Sequence, residues 1–150
     1  MPALYIDADG CPVKDECYRV AERHGLNVFV VSNHGTRVPH DPRIRNIAVG
    51  EGLDRADDWI AQHIGKGDVA VTSDVPLASR CVKQGARVIA PDGRAFTPAS
   101  IGNDLATRNL MTALRETGAI RGGGRPFTAK DRSRFLQALE AAVQALIRAG

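Results

Sequence analysis

Aspartates are the residues of this chain whose types and spacing could do chemistry. Asp7 and Asp9 follow the apolar run Leu4–Ile6, and Asp74 follows the apolar run Val69–Val71. Carboxylates that are brought together repel one another, so a group of them normally requires a cation. Hard oxygen ligands select magnesium or manganese rather than zinc. If these three residues meet in the fold, we therefore expect a magnesium or manganese site.

A second acidic group lies at Asp54, Asp57 and Asp58, where a helical pattern begins. Spacings of three and four residues place the three side chains on neighbouring positions of one helix surface. Structural roles compete, because Asp54 suits an N-cap and the other two favour the positive end of the helix dipole. We predict Asp57 or Asp58 as a further metal ligand, and the choice among the three aspartates stays open.

Apolar runs bounded by turn residues predict strands, and the segments between them predict helices. The predicted strands are Leu4–Ile6, Asn27–Ser32, Ile44–Val49, Asp68–Ser73 and Arg87–Ala90. The predicted helices are Pro12–His24, Leu53–Ile64, Val75–Gln84, Ile101–Glu116 and Thr128–Arg148. Short strands rich in Val and Ile that alternate with helices indicate an α/β fold. Its sheet should be mostly parallel, with about five strands, and covered on both faces.

The predicted sheet would bring the acidic residues to one edge. Ligands of open α/β sheets bind beyond the carboxyl ends of the strands. Asp7 and Asp74 stand at such ends, and Asn33 stands at the end of the second strand, facing the same rim. If the first strand continues through Asp9, the two-residue spacing puts Asp7 and Asp9 on one face.

The net charge permits a nucleic-acid partner without requiring one. The formal net charge is +3 and the sequence pI is about 9.0. Arginines suit phosphate oxygens, and with Trp 1 and Tyr 2 the chain offers few stacking platforms, so we expect RNA affinity to be mainly electrostatic. The candidate nucleic-acid contacts are Asn33, Arg37, Arg43, Arg108, Arg121, Arg125 and Arg132.

Several patterns indicate a cytoplasmic chain without a membrane segment. No apolar run approaches the ~18 residues that a membrane span requires, and the N-terminus lacks the features of a signal peptide. Three cysteines without C-x-x-C spacing argue against disulfides and a zinc site. Cys11 opens the first predicted helix, where a reactive thiol is conceivable, but a packed cysteine is the favoured interpretation.

The sequence predicts one domain, residues 1–150, whose C-terminal part is an extension of the core. Residues 1–118 form the α/β core, and residues 119–150 hold a Gly-rich linker and an amphipathic helix. Thr128 and Asp131 have capping-box spacing. The helix carries an apolar stripe that we expect to dock on the domain, with a second copy of the chain as the alternative partner: Phe135, Leu136, Leu139, Val143 and Leu146.

Many motifs in order resemble the YaiI/YqxD family of uncharacterised bacterial proteins, over nearly the whole chain. They include LYIDADGCPVKDE, GLDRADDWIA, VTSDVPLASRC and DRSRFLQAL. That family is grouped with the PIN-like domains, which are magnesium- or manganese-dependent nucleases acting mostly on RNA. The resemblance implies a PIN-like three-layer α/β/α sandwich and cleavage that leaves a 5′-phosphate. It also implies three ligands: Asp7, an aspartate of ADDWIA and Asp74.

The sequence departs from the PIN-like pattern at one position. Many PIN-like domains end their last motif with T-x-D-x-D, and Pro76 stands here in place of the second aspartate. Asp9, or with less support Asp92, is the candidate to compensate.

Two alternatives remain open at this point. A PIN-like shell with an incomplete site would serve as a non-catalytic RNA-binding or scaffold module. IDADG also resembles the nucleophile motif of haloacid-dehalogenase-like phosphatases, with Asp7 as nucleophile, Asp9 as acid and Lys83 as the lysine. The acidic pair that such phosphatases carry downstream is missing, which weakens this alternative.

Overall fold

The computed structural model describes residues 1–120 and 126–150. Within these ranges the strands are β1 (Ala3–Asp7), β2 (Asn27–Ser32), β3 (Ile44–Ala48), β4 (Val69–Val71), β5 (Arg87–Ile89) and β6 (Ala95–Phe96). The helices are α1 (Lys14–His24), α2 (Arg55–His63), α3 (Val75–Lys83), α4 (Ile101–Glu116) and α5 (Ala129–Ala149).

The described strands form a six-stranded sheet in the order β3-β2-β1-β4-β5-β6. All neighbouring pairs are parallel except β5 and β6, which are antiparallel. The expected mostly parallel sheet is thus confirmed, with β6 as an addition. Because β6 has only two residues, its run is too short to show an alternating pattern in the sequence. The chain moves outward from β1 in both directions, so the carboxyl ends of β1 and β4 flank a topological switch point.

Helices cover both faces of the sheet, as the three-layer α/β/α arrangement requires. One core contains residues of α1 and α5 packed on Leu4, Ile6 and Val30 of the strands. The other contains residues of α2 and α3 packed on Tyr5, Val31 and Val88. The α/β sandwich that the sequence predicted is therefore confirmed.

Helix α5 docks on the domain through its apolar stripe, as expected. Phe135, Leu139 and Val143 are completely buried in the core that also contains β1 and β2. The capping box is present as well, because the Asp131 backbone N–H donates to Thr128 Oγ1 (3.2 Å) and the Thr128 N–H donates to Asp131 Oδ2 (3.0 Å). The Gly-rich run that precedes this helix lies outside the described residues.

The element ends that face the candidate site differ from the prediction. Strand β1 ends at Asp7, and the chain turns at Gly10 with a φ of 75°, so the condition under which Asp7 and Asp9 would share one face of the strand is not met. Helix α2 begins at Arg55, because Asp54 has a left-handed φ of 61° that no helical residue adopts. In the described residues, no helix is long and apolar enough to cross a membrane.

Candidate acidic active site

An open pocket of about 290 Å³ lies at the carboxyl edge of the sheet. We call it the acidic pocket. Four separate segments build it: the end of β1, the residue after β2, the start of α2 and the loop after β4. Its lining residues are Asp7, Asp9, Asn33, Gly52, Leu53, Asp54, Arg55, Ala56, Asp57 and Asp74. The predicted convergence of aspartates at the strand ends is therefore what the structure shows.

Asp7 and Asp74 are linked by the buried hydroxyl of Thr72. Thr72 Oγ1 donates a hydrogen bond to Asp7 Oδ2 (2.7 Å) and accepts one from the Asp74 backbone N–H (3.0 Å). Asp74 is also the N-cap of α3, because its Oδ1 accepts from the Leu77 N–H (3.0 Å). The capping and site roles that competed at Asp74 are thus compatible, since one oxygen caps the helix while the residue lines the acidic pocket.

Asp9 reaches the acidic pocket from the turn after β1. Its Oδ2 accepts a hydrogen bond from the backbone N–H of Asn33 (3.1 Å), which ties the loops after β1 and β2 together. Asn33 lines the same pocket. The two-residue strand spacing does not place Asp9 here, but the turn does.

The aspartates at the start of α2 are separated by the structure. Asp57 and Asp54 line the acidic pocket, whereas Asp58 lines a neighbouring pocket beside Trp59. Asp58 is half exposed and its Oδ1 accepts from the Arg80 guanidinium (2.7 Å). Asp54 occupies the N-cap position without a side-chain capping bond. Of the two residues predicted as the helix ligand, Asp57 is the one placed beside Asp7 and Asp74.

The pKa values of two carboxyls report their crowding. Burial raises the pKa of Asp57 to about 6, and the negative charges of Asp74, Asp7 and Asp54 add to the rise while Arg80 opposes it. Burial also raises the pKa of Asp7, where the hydrogen bond from Thr72 acts in the opposite direction and Asp74 and Asp9 raise it further. Bringing these carboxylates together therefore costs free energy unless a proton or a cation offsets their charge.

A hard cation bound in the acidic pocket would have to keep part of its water. Among the described residues, no group of three or more His, Cys, Asp or Glu side chains is placed so that it could hold a metal ion. Magnesium is commonly held by only one or two carboxylates, with waters and substrate phosphates completing the shell. Asp7, Asp9 and Asp74 each have one oxygen held by a protein donor. Such bonds orient a ligating carboxylate.

The basic residues predicted to contact nucleic acid are dispersed. Arg37 and Arg108 are exposed, in the loop after β2 and on α4. Arg43 precedes β3, and its carbonyl accepts from the Val28 N–H (2.8 Å), so it lies at the opposite edge of the sheet. A five-residue strand separates it from the carboxyl edge by about 17 Å. Arg121 and Arg125 lie outside the described residues.

Arg132 has a structural contact in addition to any ligand role. Its Nη1 donates to the Pro12 carbonyl (2.8 Å) and to Glu16 Oε1 (2.9 Å). The Arg132 side chain thereby fastens α5 to the segment after β1. Its contact with nucleic acid stays a prediction.

Two residues of the site escaped the sequence reasoning. Thr72 joins Asp7 to Asp74, and its signal was the threonine of the T-x-D pattern in VTSD. Arg55 lines the acidic pocket and bonds the Glu51 carbonyl (3.2 Å). Arg55 is the single basic residue within DRADD, and that segment was interpreted only through its carboxylates.

Other candidate chemistry receives no support from the geometry. Lys83 is the last residue of α3, whereas Asp74 precedes its first; the helix rise puts them about 13 Å apart along the axis. Lys83 is therefore too far from Asp7 for the phosphatase lysine. Burial raises the pKa of Cys11, so a packed, unreactive thiol is the better interpretation.

The sequence profile of the YaiI/YqxD family, described as uncharacterized, matches residues 5–145. A UPF0178 protein of Rhodopseudomonas palustris strain BisB18 is 60% identical over 145 residues, which cover 97% of this chain and 94% of that protein. A UPF0178 protein of Azorhizobium caulinodans is 59% identical, over 98% of this chain and 92% of that protein. No solved structure matches. With a family match across almost its full length, the chain belongs to the YaiI/YqxD family.

Proposed function

We propose that the chain is a metal-dependent nuclease that hydrolyses phosphodiester bonds of RNA in the acidic pocket. The observation that carries the proposal is the placement of Asp7, Asp9, Asp57 and Asp74 around one open pocket, where burial and the neighbouring carboxylates raise the pKa of Asp57 to about 6. Clustered carboxylates at a strand-end switch point favour a bound divalent cation. The resemblance to PIN-like nucleases points in the same direction.

A bound magnesium or manganese ion would activate the attacking water and stabilise the leaving oxygen. Asp7 and Asp74 would hold the ion, and Thr72 would fix the orientation of the Asp7 carboxylate. Asp57 would complete the shell or orient the water. In the overall reaction water attacks phosphorus, the bond to the 3′ oxygen breaks, and that oxygen takes a proton. The products are a 5′-phosphate and a 3′-hydroxyl.

Asp58 differs from the pocket aspartates in its position. Asp58 bonds Arg80 and lines a neighbouring pocket, so Asp58 has no part in the proposed chemistry. A variant at this residue removes one negative charge from the same helix turn without touching the acidic pocket. Asp58→Asn is therefore the matched control for Asp7→Asn and Asp74→Asn.

The test is cleavage of labelled single-stranded RNA with manganese by wild type and these three variants, purified identically. We expect wild type and Asp58→Asn to cleave, and Asp7→Asn and Asp74→Asn to lose at least about a hundredfold in rate, as the removal of an electrostatic group from a catalytic site commonly causes. Asparagine keeps the N-cap of α3, so a loss in Asp74→Asn reflects charge. Cleavage that survives both substitutions would come from a contaminant. Manganese binding without any cleavage would favour the RNA-binding module.

A further inference from the structure

A second pocket of about 420 Å³ adjoins the acidic pocket at the carboxyl edge of the sheet. Gly10 and Ser73 line it, and each is the chain neighbour of a residue that lines the acidic pocket, Asp9 and Asp74. The same two loops, after β1 and after β4, therefore separate the two pockets. A polymer whose scissile group occupies the acidic pocket would place the adjacent unit in the second pocket.

The walls of the second pocket are mostly apolar. They comprise Pro12, Ala90, Pro91, Phe96, Pro126 and Phe127. Phe127 leaves 37% of its surface exposed, so part of its ring is accessible from the pocket. The Arg132 guanidinium lies 5.2 Å from its ring centroid, so the ring is held in place by a planar cation. Phe127 precedes the N-cap Thr128, and this contact also braces the start of α5.

The polar groups of the second pocket are better suited to form hydrogen bonds with the edge of a planar ring in a ligand than to bind a phosphate. Ser73, Asp92 and Arg94 line it, and the Asp92 carboxylate would repel an anion. The exposed Arg94 guanidinium lies 5.2 Å from the Phe96 ring centroid and pairs with Asp104 (3.2 Å). Apolar walls with a few hydrogen-bonding groups and a volume of this size are typical of small-molecule sites.

One wall of the second pocket packs closely against the backbone of α5. Gly93 lies in the turn between β5 and β6 with a φ of 92°. A Cβ atom there would lie 2.8 Å from the backbone of Arg134. The turn that carries Asp92 and Arg94 is thus pressed against the backbone of α5, and only glycine allows the approach.

We propose that the second pocket takes one unpaired nucleobase of the nucleic acid whose backbone crosses the acidic pocket. The base stacks on Phe127, and its edge bonds Asp92 and Ser73. Proteins commonly hold splayed bases of single-stranded RNA on aromatic rings and arginine planes with hydrogen bonds to the base edges. The inference rests on the proposed nuclease function, and it makes single-stranded RNA the substrate class, because a base inside a duplex cannot enter the pocket.

The test measures binding with calcium in place of the catalytic cation, so that affinity is read separately from cleavage. The ligands are a short labelled RNA strand, the same strand with one base removed, and its duplex. The proteins are wild type, Phe127→Ala, Phe127→Tyr and Leu110→Ala. Leu110 is a matched control, since it is 58% exposed on α4 and does not line the second pocket. Melting temperatures show that each variant is folded.

We expect wild type to prefer the single strand over the duplex. Phe127→Ala should lose roughly fivefold to a hundredfold in single-strand affinity, as expected for one stacked base, while Phe127→Tyr and Leu110→Ala keep it. Removing the base should weaken wild type and leave Phe127→Ala unchanged. Equal affinities of wild type and Phe127→Ala, equal affinities for strand and duplex, or no binding at all would each overturn the proposal.

The experiments distinguish a failure of the base-pocket proposal from a failure of the proposed nuclease function. If wild type and Phe127→Ala bind and cleave RNA alike, the base-pocket proposal is refuted and the nuclease proposal stands. If Phe127→Ala loses single-strand affinity but wild type cleaves no RNA, the base-pocket proposal stands and the nuclease proposal is refuted.

Discussion

At the scale of single residues, one hydroxyl connects the Asp7 carboxylate to the backbone of Asp74. Thr72 is buried, donates to Asp7 and accepts from the Asp74 backbone. Outer partners that orient a ligating carboxylate often change metal affinity or activity by 10- to 100-fold when they are removed. Thr72 is therefore a positioning residue for both Asp7 and Asp74.

We predict that Thr72→Val lowers manganese affinity and RNA cleavage by about tenfold to a hundredfold. Valine keeps the shape but leaves the Asp7 oxygen and the Asp74 N–H without this partner, which should also lower the free energy of unfolding by about 1–3 kcal/mol. Metal titration and chemical denaturation check both effects. Thr72→Ser retains the hydroxyl and should restore most of the metal affinity; equal losses in the two variants would refute the hydroxyl's role.

The sequence could predict which residue types gather at the site but not how they are held. Aspartates after apolar runs indicated the carboxyl edge, and Asp7 and Asp74 line the acidic pocket there. The bond between Thr72 and Asp7 joins residues 65 positions apart, so no local pattern reveals it. Asp9 reached the predicted pocket by a turn rather than by the strand spacing that predicted it.

At the scale of elements, α5 is part of the core. Its stripe buries Phe135 completely beside Leu4 and Ile6, and its start is fixed by the capping box. Arg23 and His24 of α1 pair with Glu140 in the middle of α5. The C-terminal helix therefore supports the face of the sheet opposite α2 and α3.

We predict that Phe135→Ala lowers the free energy of unfolding by about 3–5 kcal/mol, because it removes buried ring surface and leaves a cavity. Leu110→Ala, at an exposed position, should change it by less than about 0.5 kcal/mol. Equilibrium denaturation measures both. A small effect at Phe135 would mean that α5 contributes little to the core.

The ends of helices and strands were the least predictable feature, and they determine which side chains line the acidic pocket. The sequence could not choose between Asp57 and Asp58, since both suit the first turn of a helix. Asp54, with its left-handed backbone, directly precedes the first residue of α2. On the first turn of that helix Asp57 lines the acidic pocket, whereas Asp58 pairs with Arg80. The sequence did predict α4 with its observed bounds, Ile101–Glu116.

At the scale of the whole molecule, the acidic pocket makes stability depend on pH. The folded-state pKa of Asp57 is about 6, whereas an unfolded aspartate has a pKa of about 3.9. Between these values the folded chain binds more protons than the unfolded chain. Without metal, this residue's contribution to stability therefore falls as the pH rises from about 4 to about 6 and stays low above that range.

We predict that Asp57→Asn, in the presence of a chelator, raises the melting temperature relative to wild type more at pH 7 than at pH 4. Asparagine removes the charge that costs stability at neutral pH. Asp58→Asn should show no such pH-dependent gain, since it removes a carboxylate that pairs with Arg80. A difference between wild type and Asp57→Asn that is the same at both pH values would contradict the crowding of carboxylates.

The most direct test of the acidic pocket as a metal site is manganese binding measured by calorimetry on wild type, Asp57→Asn and Asp58→Asn. The two variants lose the same charge from adjacent positions, and only Asp57 lines the acidic pocket. We predict that wild type and Asp58→Asn bind manganese alike and that Asp57→Asn binds at least about tenfold more weakly. Equal affinity in all three proteins, or no binding by wild type, would show that the acidic pocket is not the metal site.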